Sequence, residues 1–330
     1  MLAKITSAGI TDIGKKREAN QDQFLIADLN KSMLVQTTSL PLDAQSRLYG
    51  MSHGKLFMVA DGMGGHQGGH RASMLAIDLL ITQLLNSVHW FFQVEKGVPE
   101  QDESFIEDLK SMLRNAHLAI ENEAMRNSAT KGMGTTLTMA YVIWPWMYVV
   151  HAGDSRCYLL RDEKLQQLTR DHTISNQLFE SGGLTRDEAN ASPWSNVLYN
   201  ALGAGASGVE PEVQKIRLEI GDQIMLCSDG LYRYIGDSEI AELMLTEIDP
   251  HECCRLLVEM ANLRGGADNI TAIVARLDVS DQTQPKTRVA AEITLERLLG
   301  DMTGYHPPAT RDEQLTSETM DFENSPTTEH

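Results

Sequence analysis

Phe57-Met58-Val59-Ala60-Asp61-Gly62 is an apolar run that ends abruptly in an acid and a glycine. The same pattern recurs at Tyr148-Val149-Val150-His151-Ala152-Gly153-Asp154 and at Ile224-Met225-Leu226-Cys227-Ser228-Asp229-Gly230. A fourth acid, Asp268 of Gly265-Gly266-Ala267-Asp268-Asn269, stands just ahead of the apolar run 270–274. Short apolar runs bounded by turn residues read as buried strands. Buried strands deliver their ends to common edges of a sheet, so these acids are expected to gather. Gathered carboxylates repel one another and need positive charge, and the hard cations Mg2+, Mn2+ and Ca2+ prefer oxygen ligands. For any single Asp-Gly the competing reading is a hairpin turn. Repetition at strand ends favours a metal enzyme, with glycine after Asp61 and Asp229 allowing close backbone approach to an ion.

Working outward, strands are expected near 5–12, 22–28, 56–60, 135–143, 146–152, 156–160, 213–219, 223–228 and 270–277. Helical periodicity covers 68–87, 103–127, 173–181, 238–245, 250–263 and 290–299. Glu219-Ile220-Gly221-Asp222-Gln223 reads as a hairpin turn, and the strands flanking Gly153-Asp154-Ser155 are expected to pair. Antiparallel sheets covered by helices accommodate this order. Residues 30–54 carry Ser, Thr, Gln and Gly and read as an extended loop or insertion. Residues 182–208 have the composition of a surface flap. From about 301 the chain is polar, with seven acids and one arginine, and reads as disordered.

The 330 residues carry a formal charge of -18, the opposite of a nucleic-acid footprint, so no nucleic acid is expected as partner. No run approaches the roughly 20 apolar residues that span a bilayer, so no membrane is expected. The start lacks the long apolar region of a signal peptide. Cys157, Cys227, Cys253 and Cys254 show neither zinc-ribbon spacing nor a dense disulfide pattern, which fits a reduced, cytoplasmic protein.

Seven blocks then follow one another: Arg17-Glu18-Ala19-Asn20-Gln21-Asp22, Asp61-Gly62-Met63-Gly64-Gly65-His66, Gly134-Thr135-Thr136, Gly153-Asp154-Ser155-Arg156, Leu168-Thr169-Arg170-Asp171-His172, Ser228-Asp229-Gly230-Leu231 and Ala267-Asp268-Asn269-Ile270-Thr271. In this order the chain resembles the metal-dependent serine/threonine phosphatases of the protein phosphatase 2C family, in its bacterial form. The resemblance implies an α+β fold, a four-layer α-β-β-α sandwich with a binuclear metal site at one end of two antiparallel sheets. The catalytic domain is expected over 1–280, with a flap at about 172–208 and a loop insertion at 30–54. Residues 281–330 are expected to hold a C-terminal helix and the acidic tail.

Carried over position by position, the resemblance implies that Asp61 bridges two cations, Mn2+ or Mg2+, and that the Gly62 carbonyl binds one of them. Asp229 and Asp268 are implied to hold the other. Asp22 matches an acid at or just behind the first cation. Asp154 matches one that helps form a third, weaker site shared with Asp229. Arg17 matches the arginine that grips substrate phosphate, which its planar fork can do through two oxygens. His66 is a candidate proton donor to the leaving group or a loop-packing residue, since Met63 stands where eukaryotic relatives place the suspected acid histidine. The implied activity is hydrolysis of phosphoserine and phosphothreonine in phosphorylated proteins by an activated water, opposing a serine/threonine kinase.

Three decoys are set aside. Cys227 to Arg233 spells the C-x5-R loop of cysteine phosphatases, but Asp229 inside it opposes both a thiolate and a phosphate. Gly153-Asp154-Ser155 begins a serine-esterase signature without a partner histidine block. Gly62-Met63-Gly64-Gly65 fails the dinucleotide fingerprint at Gln67. A non-catalytic scaffold would be expected to lose the acids or Arg17, and all are present.

Overall fold

The structure, a computed structural model, describes residues 3–34, 36, 47–86, 99–203 and 208–279. In chain order these form β1 (Ala3–Asp12), β2 (Gln23–Leu34), β3 (Arg47–Ala60), β4 (Gly62–Met63), α1 (His66–Asn86), α2 (Pro99–Arg126), β5 (Gly134–Thr135), β6 (Leu137–Ile143), β7 (Trp146–Ala152), β8 (Arg156–Arg161) and β9 (Lys164–Gln167). They continue with α3 (Ile174–Glu180), α4 (Arg186–Ala191), β10 (Glu212–Arg217), β11 (Gln223–Cys227), α5 (Asp229–Tyr232), α6 (Asp237–Thr246), α7 (Pro250–Leu263) and β12 (Ile270–Val279).

Alternating burial sets the layers. Along β3, Leu56, Met58 and Ala60 join a core with Leu80 and Leu84 of α1 and Leu109 and Leu113 of α2. Phe57 and Val59 join a second core with Ile224, Leu226, Ile273 and Ala275 of the opposite sheet. Successive strand side chains face opposite ways, so a strand covered on both sides must be apolar throughout. That is why these runs read as continuous rather than alternating.

One sheet runs β10-β7-β6-β3-β2 and the other β1-β12-β11-β8-β9. Pairing within each is antiparallel. Helix α7 lies against β1 and β12, its Cys254 thiol reaching the Ala8 carbonyl at 3.5 Å. The result is the expected four-layer α-β-β-α sandwich.

Two expected pairings do not occur. β10 and β11 belong to different sheets, so the turn at 219–222 carries the chain across the sandwich instead of closing a hairpin. The same holds for β7 and β8 on either side of Gly153-Asp154-Ser155. A tight polar turn suits either course, and the packing partner of the next strand decides. Asp222 steadies its crossing by accepting from the Glu219 N–H at 2.7 Å and from Arg161 at 2.8 and 2.6 Å.

The segment 30–54 is also corrected in part. β2 runs on to Leu34 and β3 begins at Arg47, so its two ends form a long paired arm from Asn30↔His53 to Leu34↔Arg47, with a register shift between Asn30 and Ser32. Its polar composition masked the strands because this arm extends beyond the doubly covered core. Residues 35 and 37–46 lie outside the described residues, as do 204–207 of the expected flap and 281–330 with the expected helix and tail. The flap holds two short helices, α3 capped by Thr173 and α4 by a Thr185/Glu188 capping box.

Phe57 is fully buried between the sheets. Phe57→Ala is expected to cost about 3 to 5 kcal/mol, the range for deleting a buried aromatic ring. Urea denaturation of both proteins measures this loss as a lower midpoint.

Candidate active site

The two sheets end together. In one, the start of β2 lies beside the end of β3, and the start of β6 beside the end of β7 (Gln23↔Ala60 and Leu137↔Ala152). In the other, the end of β11 lies between the starts of β8 and β12 (Cys227↔Arg156 and Cys227↔Ala272). Asp61, Asp154 and Asp229, which follow strands, and Asp22 and Asp268, which precede them, therefore all flank strand ends at one seam. Asp22 and Asp154 sit on links that pass from one sheet to the other, which places them between the layers.

Hydroxyl groups stitch this seam. One oxygen of Asp22, Oδ2, accepts from Ser228 Oγ at 2.7 Å and Thr271 Oγ1 at 2.6 Å. Thr136 Oγ1 accepts from the Asp61 N–H at 2.9 Å and stands 2.7 Å from Ser155 Oγ. The Asp61 carbonyl takes the Thr136 N–H at 2.9 Å and Thr135 Oγ1 at 2.8 Å. Ser155, the esterase decoy, is thus a buried structural hydroxyl.

The Asp-Gly pairs are not hairpin turns. Neither Gly62 nor Gly230 has a positive φ. What they lack is room, since a Cβ on Gly62 would stand 2.2 Å from the Gly69 carbonyl oxygen in the first turn of α1. On Gly230 it would stand 2.1 Å from the Asn269 carbonyl oxygen. Backbone is packed against backbone directly beside the acids.

The charge balance is strained. Burial pushes the Asp22 carboxyl up to about 7 against the two hydroxyl hydrogen bonds that hold it down. Asp154 is also pushed up to about 7, by burial and then by Asp229. Asp61, partly open at its surface, is raised well above the usual carboxylate range by burial and by Asp22, Asp229, Asp268 and Asp154. Burial raises Asp229 as well. Asp22 Oδ1 and Asp229 Oδ1 are buried without a hydrogen-bond partner. Such a set of oxygen-only, partner-poor acids fits a hard divalent cation.

Among the described residues no three His, Cys, Asp or Glu groups already stand around one point as a metal shell. Two arginines hold part of the set instead. Arg17 clasps both oxygens of Asp268, at 2.8 and 2.7 Å. Arg233 lies 2.7 Å from Asp229 Oδ2 and 3.5 Å from Asp154 Oδ2. With Asp268 fully engaged, that carboxylate takes a cation only if Arg17 moves. Arg17 is more than half exposed and has the freedom to do so.

Arg233 was missed as a site residue, since its sequence signal belonged to the C-x5-R decoy. The usable signal was its place four residues after Asp229, one helical turn away. Cys227 of that decoy is buried in the central strand β11, and burial pushes its thiol well up. Arg156 and Asp171 of the family-like blocks form a buried pair at 2.6 Å, with the Arg156 guanidinium 3.6 Å from the centre of the Tyr232 ring. The backbone of His66 opens α1, and its side chain lies outside the described set.

Residues 39–262 match the family profile described as Protein phosphatase 2C. The chain is 32% identical over 274 residues to Protein phosphatase PhpP of Streptococcus pneumoniae, covering 82% of this chain and 97% of that one. A serine/threonine phosphatase of S. agalactiae superposes with a TM-score of 0.67 at 26% identity, covering 83% of this chain and all of that one (100%). The catalytic domain of serine threonine protein phosphatase PstP, solved in complex with two manganese ions, gives 0.65 at 29% identity, covering 84% and 100%.

The raised carboxyls set a pH dependence. An acid whose folded pKa exceeds its unfolded value stabilises the fold at low pH, and that contribution is lost as pH rises through the folded pKa. With Asp22 and Asp154 raised to about 7, the melting temperature in chelator is expected to fall between pH 5 and 8. Mn2+ should restore more at pH 8 than at pH 5, and Asp154→Asn should flatten the slope. Thermal scans with and without Mn2+ measure all three.

Proposed function

The chain belongs to the protein phosphatase 2C family and is a metal-dependent serine/threonine protein phosphatase, and we propose the following roles for its residues. The carrying observation is the seam of raised carboxylates with orphaned oxygens on Asp22 and Asp229. Asp61 and the Gly62 carbonyl, with Asp229 and Asp268, would hold two Mn2+ or Mg2+ ions. Asp22 supports the first of these, and Asp154 with Asp229 would hold a third, weaker ion. Divalent cations so held neutralise phosphoryl charge and make water nucleophilic near neutral pH.

The chain's own residues do the rest. Arg17 grips two phosphate oxygens of the substrate once it leaves Asp268, orienting phosphorus towards the acids. Arg233 screens Asp229 and Asp154 from one another, which keeps both ionised enough to bind cations. Ser228 and Thr271 aim Asp22 by fixing one of its oxygens. His66 supplies the proton to the departing serine or threonine oxygen. Segment 172–208 contacts the substrate protein and tunes which phosphoprotein is accepted.

The substrates are phosphorylated proteins, and the circuit we propose pairs this enzyme with a serine/threonine kinase whose products it reverses. A reducing, cytoplasmic setting fits the four buried free cysteines. Among the described residues no helix is long and apolar enough to cross a membrane.

Phosphate release from a phosphothreonine peptide, titrated with Mn2+, tests the reading, and activity unchanged by chelator would sink it. Asp61→Asn is expected to lower Mn2+-dependent turnover on the order of 100-fold or more, the scale for losing one charge-stabilising group, with an unchanged circular dichroism spectrum. Arg17→Ala should raise KM about tenfold, the worth of a charged hydrogen-bonded contact, and should change kcat less. Steady-state kinetics on the same peptide separates the two effects.

A further inference from the structure

His172 holds more of this molecule together than its place in a short motif implies. It is almost fully buried, with only 1% of its surface exposed. Its backbone N–H donates to the Gly153 carbonyl at 2.8 Å, and its carbonyl accepts from the Tyr199 N–H at 3.0 Å. Its ring centroid lies 4.7 Å from that of His151 and 5.5 Å from that of Tyr199.

The ring nitrogens have defined roles. Gly153 N–H can only donate, and it meets His172 Nδ1 at 3.1 Å, so Nδ1 is an acceptor. Asn200 approaches the same nitrogen at 3.0 Å. Its amide orientation is set by Glu210, whose N–H donates to Asn200 Oδ1 at 3.0 Å and whose carbonyl accepts from Nδ2 at 2.7 Å. Nδ2 therefore faces His172, and Nδ1 takes two donors. The ring proton is on Nε2, which looks towards Glu212 Oε1 at 3.3 Å without the alignment of a hydrogen bond.

Those two donors come from different parts of the protein. Gly153 precedes Asp154 at the seam. Asn200 closes the return of segment 173–200, whose base is also tied by the Thr173↔Leu198 bridge and the Ile174 N–H to Val197 carbonyl bond at 2.9 Å. One buried nitrogen thus joins the turn carrying an acid of the site to the foot of the two-helix segment.

We propose that His172 is a positioning residue whose Nδ1 clamps the base of segment 173–200 onto the Gly153–Asp154 turn, so that the segment and the carboxylate seam move as one. The inference rests on the phosphatase reading for its kinetic consequence, and on the hydrogen-bond geometry alone for its structural one. Removing the acceptor leaves two buried N–H donors unpaired, and both sides should loosen together.

The test compares His172→Phe, which keeps the ring and removes the acceptor, with His172→Asn, whose side-chain oxygen can stand where Nδ1 stands. Amide hydrogen exchange is read by mass spectrometry in peptides spanning 150–154 and 196–202. In His172→Phe both peptides should exchange at least tenfold faster, and in His172→Asn both should stay within about threefold of the unmodified chain. Mn2+-dependent kcat on an aryl phosphate should follow, down about tenfold in the first variant and recovered in the second. Acceleration of one peptide only, of neither, or of both equally in the two variants overturns the clamp.

If His172→Phe does not fold, Asn200→Ala provides the check. It should speed 196–202 while leaving 150–154 protected by the remaining Gly153 bond, and the reverse pattern overturns the proposal. Absence of Mn2+-dependent activity in the unmodified chain counts against the phosphatase reading, whereas the exchange results still decide the clamp.

Discussion

Burial of a cluster of acids, aggravated by their mutual repulsion, governs this molecule. Asp22, Asp61, Asp154 and Asp229 are all raised, with burial the leading cause and neighbouring carboxylates adding to it. A fold does not retain such a cluster cheaply, because each ion loses hydration and gains like-charged neighbours. Arg17 and Arg233 offset part of that cost, and the partnerless oxygens of Asp22 and Asp229 mark where it is not offset. The divalent cations proposed for this seam would complete the balance.

The sandwich is built so that this repulsion has a rigid frame. Apolar strands packed on both faces cannot slide without burying polar groups or opening cavities, so their ends stay in register. Links between the two sheets, rather than hairpins within one, carry Asp22 and Asp154. Ser228, Thr271, Thr136 and Ser155 then fix the backbone and carboxylate directions with short hydrogen bonds. Gly62 and Gly230 let main chain approach main chain where any side chain would collide. The acids are thus held at fixed separations while Arg17, at the exposed rim, remains free to change partners.

Away from the seam, His172 and the Arg156–Asp171 pair show a second level of organisation. Both lie in blocks recognisable along the chain, yet neither faces the seam as a ligand. Arg156 satisfies Asp171 and stacks on Tyr232, and His172 ties together two backbone segments. Residues of this kind convert the foot of an excursion into a fixed point of the core.

Much was legible from the chain alone. All nine expected strands lie at or near observed ones. For the central strands such as β6 and β11 the signal was a continuous apolar run, because burial on both faces imposes composition directly on the strand, whereas the half-buried β1 and β10 showed a mixed pattern. Acids and glycines stood at the ends of several of these runs, and the structure gathers those acids at one seam. Strand pairing was not legible at Glu219-Ile220-Gly221-Asp222-Gln223 or at Gly153-Asp154-Ser155, since a short polar turn has the same composition whether it reverses within a sheet or crosses to the next. β4, β9, α4 and α5 were too short to carry a periodic signal. Arg233 was hidden inside a misleading motif, and Gly62 owes its identity to Gly69, a neighbour brought close only by α1 folding across it. Composition and local spacing thus determined which residues are strands and which acids stand at their ends. Which strands pair, which arginine meets which acid, and which glycine has no space are properties of distant segments in contact, and only the tertiary packing decided them.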